Sequence, residues 1–274
     1  MVRPTAIAIA PNGARRTKAD HPRLPMTPEE IAAEAARSLD AGAAMLHLHV
    51  RDRQGRHLLD ASAYRQATAT IRSAVGQRLV VQITTEAAGS YGPDTQMAVA
   101  RAARPEAVSL ALRELVADAA HEKAFAAFME WLAREAVMTQ IILYDAADAA
   151  RLADLRRRGL VGGDTVHVLY VLGRYAAGQT SEPADLLPFL AAAAPLPVDF
   201  MVCAFGARET ACVTAGALFG GDMRVGFENN LLLPDGRVAP DNASLVSAAA
   251  SAVASCGIPL ADADALRARW LPRR

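Results

Sequence analysis

The 274-residue chain is poor in cysteine, with only Cys203, Cys212 and Cys256. They form no C-x-x-C pair and follow no regular spacing, which excludes a disulfide framework and points to a reducing compartment. No base stands beside any of them, so they read as small buried hydrophobes. Net charge is lacking too: Lys+Arg and Asp+Glu number 29 each. No overall basic field exists to recruit nucleic acid or an anionic membrane, and neither is expected as a partner. No run of 18 uncharged apolar residues is present to span a bilayer. The opening MVRPTAIAIAPNG loses its apolar run at Pro11, too early for a signal peptide. No G-x-G-x-x-G follows the first apolar run, and no low-complexity linker divides the chain. The expectation is a soluble, cytoplasmic protein with a single domain over residues 1–274. Its 52% hydrophobic content is ample for a core.

What is present is an alternation. Short β-branched or apolar runs lie at 5–10, 44–50, 79–84, 107–112, 138–144, 165–171, 198–204 and 223–227. Between them lie Ala/Glu/Arg segments with helical spacing, near 28–40, 60–75, 94–103, 118–136, 145–159, 183–193, 208–220 and 240–256. Thr27-Pro28-Glu29-Glu30 has the residues of a helix start: a cap, a proline at the first helical position and acids in the first turn. Asp60 and Asp145 stand where two further helices begin. Eight strands alternating with eight helices predict an α/β protein of the (β/α)8 TIM-barrel class. The polar tail 258–274 is expected to pack across one end of the barrel or against a neighbouring subunit.

The run GAAMLHLHVRD holds two histidines, His47 and His49, inside apolar sequence. Residues i and i+2 of a strand share a face, so Leu46, Leu48 and Val50 take the helix side and the imidazoles face the barrel interior. They fall at the C-terminal end of the second strand, where barrel active sites form. Two imidazoles in a closed interior are costly unless satisfied. A divalent metal satisfies both, and it requires a third ligand and an open position. Glu228, straight after the apolar VGF of the eighth strand, is the best-placed carboxylate. A site of this composition suits zinc, and also iron or manganese. Of the remaining histidines, His21 and His57 lie in loop-like sequence, His121 starts a surface helix, and His167 is mid-strand.

The segment APNGARRTKADHPRLPMTPEEIAAEAARSLDAGAAMLHLHVRDRQGRH resembles the opening of the β-keto acid cleavage enzymes. The likeness continues through VVQITTEAAG, ARPEAVSLAL, VHVLYVLG and DMRVGFENN. The resemblance implies a (β/α)8 barrel, a homo-oligomer (dimer or tetramer), and Zn2+ held by His47, His49 and Glu228. It also implies that a β-keto acid and acetyl-CoA are converted to a new acyl-CoA and acetoacetate. Thr84 and Ser109 match hydroxyls that bind substrate oxygens, and Thr85 stands with them at the substrate. Arg224 matches the arginine that partners the family's base.

Three departures stand out. Asn229 replaces the aspartate that serves as base, and an amide is not a useful proton acceptor near neutral pH. Glu86, in place of a glycine of the family's turn after the third strand, is the leading substitute; Glu209 is another. Arg15 and Ile142 replace carboxylates found in members that handle amine-bearing keto acids. Together these predict a substrate tail that is neutral or anionic, with Arg15 as an anion partner. The segment VLGRYAAGQTSEP adds Arg174 and Tyr175 where the family has a more glycine-rich turn, which leaves the use of CoA open. Competing expectations are a hydrolase of the amidohydrolase kind, in which only His167 is left to act as a further histidine, and a metal-binding barrel that has lost catalysis with its base.

Overall fold

Strand alternation builds two apolar layers. Residues 2–194 and 196–271 are described in the computed structural model. Eight parallel strands close a barrel: β1 (Ile7–Ile9), β2 (Met45–Leu48), β3 (Val80–Thr84), β4 (Ala107–Ala111), β5 (Met138–Leu143), β6 (Val166–Leu172), β7 (Val198–Ala204) and β8 (Asp222–Val225). β1 closes on β8 through the Ile7–Met223 to Ile9–Val225 register. Eight helices follow in turn: α1 (Pro28–Asp40), α2 (Ala61–Val75), α3 (Pro93–Ala103), α4 (Glu122–Arg134), α5 (Ala146–Arg157), α6 (Leu187–Ala193), α7 (Glu209–Leu218) and α8 (Asn242–Ser255). The fold is the (β/α)8 TIM barrel that the alternation predicts.

Ile7, Ile9, Leu46, Leu48 and Val50 belong to the cluster between sheet and helices. Ala8, Met45, Val80, Leu169, Met201 and Cys203 fill the barrel itself. His47 shares the inner face with Met45, as the period of two requires. The helix starts behave as read. Glu30 N–H donates to the Thr27 hydroxyl and Thr27 N–H to the Glu30 carboxylate, a reciprocal cap. Asp60 and Asp145 each accept the N–H three residues on, at 2.8 Å. Among the described residues no helix is long and apolar enough to cross a membrane.

The differences from expectation are local. β2 ends at Leu48, and Val50–Arg51 pairs antiparallel with His57–Leu58 in a small ribbon beyond it. Two-residue strands are too short to show a period. The tail packs across one end of the barrel, as expected, and there it forms a further helix, α9 (Ala263–Trp270), over the N-terminal mouth. Trp270 stacks on His167 at 4.6 Å, and Arg267 donates to Glu106 at 2.6 Å. His167 is thus taken up at the mouth opposite to His47 and His49, which removes the extra ligand that a hydrolase of the amidohydrolase kind needs.

Asp222 ties this end together. It is 1% exposed, accepts the Ala6 N–H at 2.8 Å, and pairs with Arg269. Asp222→Ala leaves the buried Ala6 N–H without an acceptor and takes from Arg269 its nearest carboxylate, with Asp199 remaining at 3.9 Å. The expected loss is about 3 kcal/mol in denaturant unfolding, with the far mouth of the barrel undisturbed.

Candidate active site

The two histidines meet a carboxylate at the C-terminal mouth. The Nε2 atoms of His47 and His49 stand 3.1 Å apart. Glu228 Oε2 lies 3.6 Å from the first and 3.4 Å from the second. One donor atom from each residue falls within 4.8 Å of the others. Both imidazoles are buried, and Glu228 Oε2 has no hydrogen-bond partner among the described residues. A buried carboxylate oxygen without a donor, facing two ring nitrogens, fits a divalent cation. His47 Nδ1 is 2.8 Å from the Gln82 amide oxygen, and the Gln82 amide donates to Gln140. That chain fixes the tautomer with a proton on Nδ1 and turns the Nε2 lone pair to the shared point.

Glu228 is delivered by a tight turn after β8. The N–H groups of Asn229 and Asn230 both return to the Gly226 carbonyl. Gly226 has φ of 135°, and a Cβ there would lie 2.4 Å from the Ala10 carbonyl oxygen. Gly13, from the first loop, packs directly on the Glu228 side chain: its Cβ would stand 2.6 Å from Glu228 Cγ. Three polar side chains brace the turn. Glu209, fully buried, accepts from Gly226 N–H at 3.1 Å and from the Asn230 amide at 3.3 Å. Asn242 accepts from Phe227 N–H at 2.8 Å. Arg16 donates to the Phe227 carbonyl. Arg51 holds the first loop by donating to the carbonyls of Asn12, Gly13 and Arg16.

Charge is balanced locally. Burial alone would raise the Glu228 carboxyl; Arg224 at 3.0 Å, with the two histidines, overrides it and holds the group well below the ordinary range. Burial depresses His47 to about 3, so it is neutral at physiological pH and its lone pair is free for a metal. Burial, and then the neighbouring His49, lower His57 to about 4. Burial pushes Glu209 up to about 8.

The cavity over this site is walled by Arg15, His47, Thr84, Glu86, Ile142, Arg174, Arg224 and Glu228 among the residues singled out from sequence, and by Arg16. Glu86 Oε2 is 3.8 Å from His49 Nε2. The Thr84 hydroxyl accepts the Glu86 N–H at 3.0 Å, which leaves its own proton to donate into the cavity. Asn229 is fully buried, with its amide 4.0 Å from Cys203 Sγ, and lies outside the cavity wall. Ser109 is buried below the wall with its hydroxyl unpartnered, and Thr85 donates its hydroxyl to the Ser109 carbonyl at 3.0 Å. Glu209 lies behind the turn, not on the cavity. Sequence reasoning missed Gln82, Gln140, Arg51 and His57. The glutamines left a signal: an amide on the inward period of two apolar strands. His57 Nε2 lies 2.9 Å from the Glu86 carbonyl oxygen and its ring 5.3 Å from that of His49, in a ribbon that no period announces.

Gln82→Leu removes the acceptor that orients His47. It is expected to weaken Zn2+ binding by about 10–100-fold in a chelator competition titration. A second prediction concerns pH. The unfolded chain protonates His57 near the ordinary value of 6.5, whereas the folded protein holds it neutral down to about 4. Unfolding therefore takes up a proton in this window, and stability falls as pH falls from 6.5 to 4, by at most about 1.4 kcal/mol per pH unit. His57→Gln keeps a donor for the Glu86 carbonyl and removes the titration. Its metal-free form should show a shallower acid limb in thermal unfolding.

Comparison with known proteins places the whole chain. A sequence model of the beta-keto acid cleavage enzyme family matches residues 4–270. The chain is 27% identical over 262 residues to a 3-keto-5-aminohexanoate cleavage enzyme of Acetoanaerobium sticklandii, covering 93% of each chain. It is 26% identical over 279 residues to a 3-oxoadipate:acetyl-CoA acetyltransferase of Cupriavidus necator, covering 98% of this chain and 95% of the other. Among solved structures, apo ObcA superposes with a TM-score of 0.71 at 18% identity, over 91% of this chain and 65% of that one, a likeness of fold. With the family matched along nearly its whole length, the chain belongs to the β-keto acid cleavage enzymes.

Proposed function

We propose that this protein is a metal-dependent C-acyltransferase that exchanges the acyl group of a β-keto acid with acetyl-CoA, releasing a new acyl-CoA and acetoacetate. The observation that carries the reading is the convergence of His47 Nε2, His49 Nε2 and an otherwise unpartnered Glu228 oxygen beneath a cavity that holds one further carboxylate, Glu86. Relatives named for keto acid cleavage and for acetyl-CoA transfer support it. Zn2+ suits this donor set and, when bound, supplies a Lewis acid that neutralises charge growing on the ketone oxygen. The tail of the keto acid is neutral or anionic, because Ile142 offers no charge to a cation and Arg15 repels one. The three cysteines, all unpaired, suit a cytoplasmic setting.

The residues then divide the work. Glu86 takes a proton from the carbon between the ketone and the carboxylate. The resulting carbanion attacks the thioester carbonyl and expels the CoA thiolate. The thiolate adds to the original ketone carbon, the C–C bond breaks, and acetoacetate leaves as a carbanion. Glu86 returns its proton to that carbon, so the carboxylate is regenerated. Thr84 directs the Glu86 backbone and donates its hydroxyl to a substrate oxygen; Arg224 holds Glu228 and offers charge to the oxyanion. Asn229 has no part in proton transfer, because its side chain is buried beside Cys203.

The test is a screen of zinc-loaded protein with acetyl-CoA and a panel of β-keto acids, read by mass spectrometry for acyl-CoA and acetoacetate. Product that is lost in His47→Ala is the expected result. Glu86→Gln should lower kcat by about a hundred-fold or more, and Asn229→Asp should leave it within about three-fold. A large gain from Asn229→Asp would mean that the base is missing and that Glu86 does not replace it. A blank panel from protein holding stoichiometric metal would favour a barrel diverted from this reaction.

A further inference from the structure

The cavity has more positive charge than its internal pairing uses. Four guanidinium groups line it, from Arg15, Arg16, Arg174 and Arg224, against two carboxylates. Arg224 is engaged by Glu228 and Cys203, and Arg16 by the carbonyls of Phe227 and Asn229. The Arg15 and Arg174 guanidiniums have neither an ion pair nor a hydrogen-bond acceptor among the described residues. Arg15 is exposed and solvated, but Arg174 is half-buried. Its guanidinium carbon lies 5.2 Å from the centroid of the buried Phe205 ring and 5.8 Å from that of Tyr175. Tyr175 in turn packs on Tyr144 at 5.1 Å and under Arg113, which is anchored by Asp145 and Asp148. A guanidinium braced on aromatic faces, with its N–H edges unspent and aimed at a cavity, is a ready-made anion site.

Position gives this charge a role. In the barrel order, β6 lies diametrically opposite to β2. Arg174 follows β6, and the metal-ligand histidines end β2, so the two poles of the cavity face each other across the mouth. Both acidic side chains of the wall stand at the metal pole, within 4 Å of His49. The wall towards Arg174 is mainly apolar, with Ala111, Ile142, Val171 and Phe205; Tyr144 and Gln179 are its polar members, and the Gln179 amide donates to the Arg174 carbonyl.

We propose that Arg174, assisted by Arg15, binds a carboxylate at the far end of the keto acid's tail, so that the substrate class is a β-keto dicarboxylate. This rests on the keto acid reading above. The keto acid head lies at the metal pole, its methylenes run along the apolar wall, and the second carboxylate meets the Arg174 fork. Planar, two-pronged pairing favours a carboxylate over a compact anion.

The test compares 3-oxohexanoate with its ω-carboxylated counterpart of equal backbone length, acetyl-CoA being the acceptor. The wild type should favour the dicarboxylate in kcat/KM by about ten-fold or more. Arg174→Gln should erase that preference through KM for the keto acid, Arg174→Lys should recover part of it, and Arg15→Gln should cost only a few-fold. Preference for the neutral acid would overturn the proposal. So would an Arg174→Gln effect confined to the KM of acetyl-CoA, which would assign the guanidinium to a CoA phosphate. If neither acid turns over, the reaction reading fails, and calorimetric binding of the same two acids to zinc-loaded protein still decides the site. Tighter binding of the dicarboxylate that is lost in Arg174→Gln supports it; equal binding overturns it.

Discussion

The structure turns on a carboxylate withdrawn from water. Glu228 is held ionised at the barrel mouth by Arg224 and faces two imidazoles, of which burial keeps His47 neutral. A buried anion of this kind is tolerable only with its charge matched on both sides. Arg224 matches one oxygen, and the other points with the histidines to a common centre. Much of the surrounding chain serves to keep that geometry. Gly226 and Gly13 allow the close approach of two loops, Arg51 holds the first loop, Arg16 ties that loop to the last turn, and Glu209 and Asn242 fix the turn from behind.

The same arrangement divides the mouth into unlike poles. Imidazoles and carboxylates gather over β2, β3 and β8; unspent guanidinium charge stands over β6, with a mainly apolar wall between. A (β/α)8 barrel favours this division, because each loop is carried by its own strand and changes without disturbing the rest. Asn229 and Glu86 show the effect. The amide of Asn229 lies buried beside Cys203, while Glu86, carried by another loop, brings a carboxylate to 3.8 Å from His49 Nε2.

The barrel was legible because its signal is periodic. Alternation within strands put Leu46 and Leu48 on one face and His47 on the other, and helix caps such as Thr27 and Asp60 are local chemistry. The pairing of His47 and His49 was legible for the same reason: two histidines two apart along an extended segment share a face wherever that segment sits. The supporting residues were not. Gln82 reaches His47 only through the β2–β3 register, and His57 approaches Glu86 through a ribbon of two-residue strands. Whether a loop residue faces the cavity or the protein behind it is set by turn geometry, which spacing does not encode. Thus Glu86 lines the wall, whereas Thr85 and Asn229 turn away.

The central claim is that Glu86, facing the site of His47, His49 and Glu228, removes the proton that starts the reaction. Hydrogen–deuterium exchange at C2 of a β-keto acid in deuterium oxide, without acetyl-CoA, tests it most directly. Zinc-loaded wild-type protein should accelerate exchange well above the uncatalysed rate, and Glu86→Gln should bring it back close to that rate while still binding the metal. Exchange that persists at the wild-type rate in Glu86→Gln would contradict the account and move the proton to another group.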